Sequence, residues 1–188
     1  MIREKYSTSL VDKIVAQINT QQTLIVTMGV PGSGKSYIAN QIAEKAHNCV
    51  RINMDDIMEK LYGTADVQDW RNVTRMQKEH GYSNNVVKNT ARDMVRDALS
   101  KGYSVVYDAT NLRYDARVKT VRSLKRGAPQ TVKTLGIIIK VRLSTAKQRN
   151  AGRDRKVQDW VIRNMYNTAQ LPNDNSSEFD ALMLIDND

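Results

Sequence analysis

Cysteine occurs once in this 188-residue chain, at Cys49, and histidine twice, at His47 and His80. A single thiol excludes an intrachain disulfide, and one thiol with two imidazoles is a poor basis for a Cys/His zinc site. Proline occurs three times, and neither an internal repeat nor a low-complexity tract is present. No apolar run approaches the roughly 20 residues of a membrane span, so no membrane partner is expected. The opening MIREKYSTSLVDKIV lacks the apolar stretch and small-residue cleavage site of a secretory signal. The expected compartment is a reducing cytoplasm.

Charge, in contrast, is plentiful and uneven. The net charge is +9, and residues 113–163 hold 15 Lys and Arg against 3 Asp and Glu. Such a concentration of positive potential attracts polyanions, nucleic acid or nucleotide phosphates among them. Arginine outnumbers lysine there by 9 to 6, and its planar fork suits phosphate. A solvated helix face rich in lysine is the plainer alternative.

Periodicity predicts alternating elements. Ile2, Tyr6, Leu10, Ile14 and Ile18 recur at helical spacing, so an N-terminal helix is expected over 2–20, within an appendage covering 1–22. Strands are expected at TLIVTM (23–28), CVRIN (49–53), YSVVYD (103–108), TLGIIIKVRL (134–143) and ALMLID (181–186). Helices are expected from Lys35 to about His47, from the DD pair at 55–56, over 83–102 between Ser83 and Gly102 caps, over 113–127, and over 144–168 with a break near Gly152. Five strands alternating with helices imply one three-layer α/β domain over 1–188 with a mainly parallel sheet.

The run GVPGSGKS (29–36), placed between the first of these strands and its helix, matches G-x-x-x-x-G-K-[ST]. Glycines let successive backbone N–H groups turn inward on phosphate oxygens, and the helix N-terminus adds its positive end. Gly32, Ser33, Gly34, Lys35, Ser36 and Tyr37 are the candidate ATP-binding residues. Lys35 reaches the β- and γ-phosphates, and the Ser36 hydroxyl takes a Mg²⁺ position. The base-reading N-K-x-D motif of GTPases does not occur.

Carboxylates follow two strands. Asp55 and Asp56 come just after Asn53, where an acid faces the crevice beside the γ-phosphate and can take a proton from an attacking hydroxyl. The same spacing suits helix capping, and both roles can hold, with Asp55 catalytic and Asp56 starting the helix. Asp108 ends YSVVY as an aspartate reaching Mg²⁺ through water would, with capping again the alternative. The stretch QRNAGRDRK (148–156) puts a glycine and four cations into a helical region. It reads either as a lid over 148–158 whose arginines meet charge developing on the phosphoryl group, or as an exposed basic turn.

GVPGSGKS, N-x-DD, DATNL with Arg117 six residues after Asn111, and QRNAGR together resemble the family of the 5′-hydroxyl kinase domain of T-even bacteriophage polynucleotide kinase and its small P-loop kinase relatives, from Thr23 to about Pro172. The resemblance implies a strand order 2-3-1-4-5, with the N-terminal helix an addition, and transfer of the ATP γ-phosphate to a 5′-hydroxyl of DNA or RNA. It implies Asp55 as general base, Lys35 and Ser36 on phosphates and Mg²⁺, Arg153 as the lid arginine at the transition state and Arg149 beside it. Asp108 and Arg117 would serve the substrate. The family's arginines flanking the acidic pair are here Met54 and Met58. Arg51, Arg71, Arg75 or Arg92 could take their place, with Arg75 among the candidate substrate-binding residues. No D-x-D-G-T motif is present, so no 3′-phosphatase activity is expected.

Three further functions remain open on the sequence. One moves the acceptor to a hydroxyl on a modified base within DNA, such as 5-hydroxymethyluracil. Another is a small-molecule or nucleoside kinase. The last is a nucleotide-dependent binding or toxin-like module. A homo-oligomer also remains open.

Overall fold

The run TLIVTM offers no side chain to water: all six residues from Thr23 to Met28 are buried. A strand apolar on both faces belongs in the middle of a parallel sheet covered by helices on both sides. The computed structural model, which describes residues 1–64, 70–83 and 85–188 and Trp70 by its backbone alone, has that arrangement. In chain order the elements are β1 (Ile2–Lys5), α1 (Thr8–Thr20), β2 (Thr23–Met28), α2 (Lys35–Lys45), β3 (Cys49–Asn53), α3 (Met54–Tyr62) and α4 (Trp70–His80). They continue with α5 (Val86–Ser100), β4 (Ser104–Asp108), α6 (Tyr114–Lys125), β5 (Lys133–Lys140), α7 (Leu143–Ala151), α8 (Asp159–Asn167) and β6 (Ala181–Asp186).

The sheet order is β1-β6-β5-β2-β4-β3, with every pairing parallel. Taken over the five expected strands this is the order 2-3-1-4-5. Side chains alternate across the sheet with period two. Ile25, Val106, Ile137 and Ile139 pack under α1 and α2 through Leu10, Ile14, Ile38 and Ile42. Leu24, Val26, Val105 and Tyr107 pack on the opposite face, with Val95 and Leu99 of α5 and Val121 and Leu124 of α6. Strands β4 and β3 lie to one side of β2, and β5 and β6 to the other. An open parallel sheet leaves a crevice at the carboxyl end of such a reversal.

Several boundaries differ from expectation. The helix expected over 2–20 starts at Thr8, because the Ser7 side chain accepts the Leu10 N–H and stops the helix there. Residues Ile2–Lys5 instead pair with Met183–Asp186 as a sixth strand; it is short and carries Arg3, Glu4 and Lys5, features that protect a sheet edge. The strand expected over 134–143 ends at Lys140, and Leu143 opens α7. Ser83 does not cap α5, which begins at Val86 after Asn85; Asn84 lies outside the described residues. No helix among the described residues is long and apolar enough to cross a membrane.

Candidate functional site

The glycine-rich loop leaves the buried end of β2 and turns into α2 at Lys35. Gly32 and Gly34 have φ of +79° and +94°, a region that favours glycine. Space is lacking too. A β-carbon on Gly32 would stand 2.2 Å from the Ala146 carbonyl oxygen of α7, and one on Gly34 would stand 2.4 Å from the Asn187 side-chain nitrogen. The Asn187 amide donates to the Ser33 carbonyl at 2.8 Å, and the Ser33 N–H to Val30 O at 3.1 Å. Among the described residues, nothing takes up the N–H groups of Gly34, Lys35 and Ser36, and the buried Ser33 hydroxyl has no partner. Free amides at the N-terminus of an 11-residue helix form an anion cradle. A triphosphate fits them.

Lys35 is buried with its Nζ on Val30 O at 2.9 Å. Burial pulls its pKa down to about 8; the charges of Asp108 and Asp55 push it back up, and that of Arg153 lowers it further. Three expected site residues therefore exert their fields on one ammonium. Tyr37, beyond the loop, is exposed, with its ring 6.0 Å from that of Tyr6.

Asn53 organises the acids. Its Oδ1 accepts the N–H groups of Asp55 (2.7 Å) and Asp56 (3.1 Å), so Asn53 caps α3 in place of Asp56. Its Nδ2 donates to Asp108 Oδ2 at 2.8 Å, tying together the ends of two strands already in register at Asn53 and Asp108. Asp108 is only 1% exposed. It also accepts from Arg51 Nε (3.0 Å) and Nη2 (2.8 Å) and from Thr27 Oγ1 (3.3 Å). The other end of Arg51 meets Asp56 at 2.7 Å. Arg51 is thus committed to two acids, and a period-two reading of CVRIN, which puts it on the same face as Asn53, would have pointed to it.

Asp55 faces elsewhere. Its half-exposed carboxylate pairs with Arg155 Nη1 at 2.8 Å. Arg155 belongs to the segment between α7 and α8, whose base is fastened where buried Asn150 donates to Val157 O (2.7 Å) and accepts the Val157 N–H (3.1 Å). Arg149 in the last turn of α7 and Arg153 on this segment are exposed. The glycine break signals the segment in the sequence, but nothing there singles out Arg155 as the residue that meets the acid.

Two expected substrate residues do other work. Arg117 is completely buried, and its guanidinium donates to Glu178 (2.7 and 3.1 Å), Asn111 O (2.9 Å) and Gln170 O (2.8 Å). With its donors spent inside the fold it holds the DATNL turn and the chain before β6, and is not available to a substrate. Arg75 bonds to Asn72 of its own helix at 2.7 Å, and no contact among the described residues joins it to Asp55.

Magnesium would draw on Ser36, half-buried at the start of α2. Among the described residues no group of three or more His, Cys, Asp or Glu is arranged for a metal. Mg²⁺ in nucleotide sites binds through few protein groups together with substrate phosphates. Asp108 meets it only if the bonds from Arg51 and Asn53 leave room for a shared water.

A parallel sheet with an anion cradle at its reversal point, an acid one strand away and an arginine-bearing segment above defines a P-loop kinase-like fold. The chain belongs to the AAA_33 family, described as an AAA domain, whose model matches residues 24–172. It is 25% identical over 149 residues to the L-seryl-tRNA(Sec) kinase of Methanococcus maripaludis, a match covering 79% of this chain and 53%, about half, of that protein. Among solved structures, a chain of the Pnkp1/Rnl/Hen1 RNA repair complex aligns with TM-score 0.61 at 18% identity, over 80% of this chain and 44% of its own. A sugar kinase from Janibacter sp. HTCC2649 aligns with TM-score 0.56 at 15% identity, over 88% and 85%. These structural likenesses concern the fold.

Proposed function

We propose that the chain, acting as one domain with 148–158 as its lid, is an ATP- and Mg²⁺-dependent kinase. In this reading it moves the γ-phosphate to a hydroxyl of a nucleic acid, in the first instance a polynucleotide 5′-hydroxyl, as in the T-even phage kinase family. The observation that carries this reading is the glycine-rich cradle of N–H groups, free among the described residues, at the start of α2, with Asn53 bonded to both Asp55 and Asp108 at paired strand ends. The cradle amides and Lys35 hold the phosphates, and the metal, when bound, neutralises charge on their oxygens. Asp55 takes the proton of the acceptor hydroxyl as its oxygen attacks the γ-phosphorus. The bond from the γ-phosphorus to the β,γ-bridging oxygen breaks and ADP leaves, while Arg153, with Arg149 beside it, stabilises the charge in between. Asp55 must first release Arg155, so acceptor binding and lid movement are linked steps.

The basic half of the chain and the RNA- and tRNA-directed names of two relatives support a nucleic-acid acceptor. One observation favours a hydroxyl on a modified base within DNA instead: the positions flanking the acids are Met54 and Met58, and Arg51 is already tied to Asp108 and Asp56. Among the described ion pairs, Asp55 meets Arg155. The deciding experiment supplies γ-labelled ATP with Mg²⁺ to 5′-hydroxyl DNA and RNA oligonucleotides, to duplex DNA containing 5-hydroxymethyluracil, to nucleosides and sugars, and to no acceptor. Label on oligonucleotide ends is expected. Label inside the duplex moves the acceptor to the base. Label on small molecules alone, or free phosphate alone, overturns the nucleic-acid reading.

A further inference from the structure

Trp160 stands in the first turn of α8, 66% exposed. Its indole N–H is already taken by the Gln158 side-chain oxygen, so no polar need holds the ring in water. The rest of the helix is well seated. Ile162 is buried, and Met165 packs with it against Val30, Leu112, Val141 and Ala146. The outward line is Trp160, Arg163, Asn164 and Asn167, all exposed and spaced to share one helix face. The residues leading into α8 from α7 carry exposed Arg149, Arg153 and Lys156. The nearby acid Asp159 is occupied by Lys147 at 2.9 Å, and among the described residues neither Arg163 nor Lys156 has an ion-pair partner.

An aromatic island among unpaired cations has a defined chemistry. A protein partner would want contiguous apolar surface, whereas Asn and Arg surround this ring. Single-stranded nucleic acid wants what is present: a flat ring for an unstacked base and cations for the phosphates on either side. We propose that the outer face of α8 and the adjoining lid form a docking track for single-stranded nucleic acid, with Trp160 stacking one base and Arg163 and Lys156 meeting the flanking phosphates. The inference deepens the nucleic-acid reading and rests on it for its link to Asp55. Arg155 touches Asp55, and Trp160 follows five residues later, at most about 18 Å along the chain. A strand with its acceptor hydroxyl at Asp55 needs only a few nucleotides to cover that distance.

Tryptophan occurs only at 70 and 160, so Trp70→Phe leaves Trp160 as the sole indole reporter. Titration of that variant with a ten-nucleotide single strand is expected to quench its fluorescence. If the variant does not fold, anisotropy of a labelled strand on the otherwise native chain gives the same answer. Trp160→Ala is expected to weaken strand binding about tenfold and Trp160→Phe to restore it to within about threefold. Arg163→Ala should lower the salt dependence by about one ion. ATP affinity should stay constant throughout. Native strand affinity in Trp160→Ala overturns the proposal. So does equal quenching by poly-L-glutamate, which would mark an acidic-peptide surface, or equal binding of blunt duplex. Labelling assays run in parallel separate the two readings. Strands that bind at Trp160 but are never phosphorylated sink the 5′-hydroxyl kinase reading and leave this surface standing. Strands phosphorylated with unchanged KM in Trp160→Ala do the reverse.

Discussion

Asp108 ends β4 and Asp55 comes two residues after β3, at the same end of the sheet, yet they live in opposite surroundings. Asp108 is closed off from water and receives Arg51, Asn53 and Thr27. Asp55 is 53% exposed at its side chain and touches a residue of the lid alone among the described ion pairs. A carboxylate enclosed by fixed donors binds strands together; one at the edge of a crevice can meet an incoming hydroxyl. Burial separates the acid that ties strands together from the acid proposed for the chemistry, although the two look alike in the sequence.

The strongest way to break this contrast is at the exposed acid. Asp55→Asn removes the proton acceptor and keeps the shape, so phosphoryl transfer should fall by about 10²–10⁴. Nucleotide affinity, measured with a fluorescent ATP analogue, should remain within about twofold. Transfer at the native rate would strip Asp55 of its role.

The same contrast divides the arginines. Arg117→Ala leaves Glu178, only 8% exposed, as a carboxylate without its buried partner, and breaking such a pair costs about 3–5 kcal/mol. Urea denaturation should show that loss as a lower midpoint with an unchanged slope. Nucleotide and acceptor affinities of the folded protein should be unaltered. A stable Arg117→Ala protein that no longer binds acceptor would return this arginine to the substrate.

What was legible in the sequence follows the same division. The cradle could be read because its residues are contiguous and its glycines have local reasons to be there. The central strands could be read because burial on both faces leaves solid apolar runs. Arg117 was misread because its partner Glu178 lies 61 residues away, and a sequence shows a charge without showing what neutralises it. The strand Ile2–Lys5 was misread because Ile2 and Tyr6 happen to continue the spacing of α1, and only pairing with β6 sets them apart. Arg155 could be seen as one cation of the lid, but its contact with Asp55 depends on how the segment folds back.

At the donor end the comparison can be sharpened by pH. Burial lowers the Lys35 pKa from 10.5 to about 8, so the ammonium is charged below that value and progressively neutral above it. Affinity for the ATP analogue should hold near pH 7 and decline as pH rises past about 8, by at most about tenfold per unit. Stability should move the other way. Between pH 8 and 10.5 the unfolded chain binds the proton that the folded chain has lost, so this lysine's contribution to folding rises with pH. Lys35→Arg, which stays charged, should abolish the decline in affinity.

The smallest effect is expected at the contact between lid and acid. Arg155 and Asp55 are 31% and 53% exposed at their side chains, and pairs this open are worth about 0.2–1 kcal/mol. Arg155→Ala should therefore change transfer to a dinucleotide acceptor by less than about fivefold. The direction carries the information. If the pair must open before Asp55 accepts a proton, kcat rises in the variant, and added salt raises the native rate while leaving the variant unmoved. A fall in kcat with unchanged salt response would instead make Arg155 part of the machinery that stabilises transfer, and the exposed acid would then work with its lid partner in place.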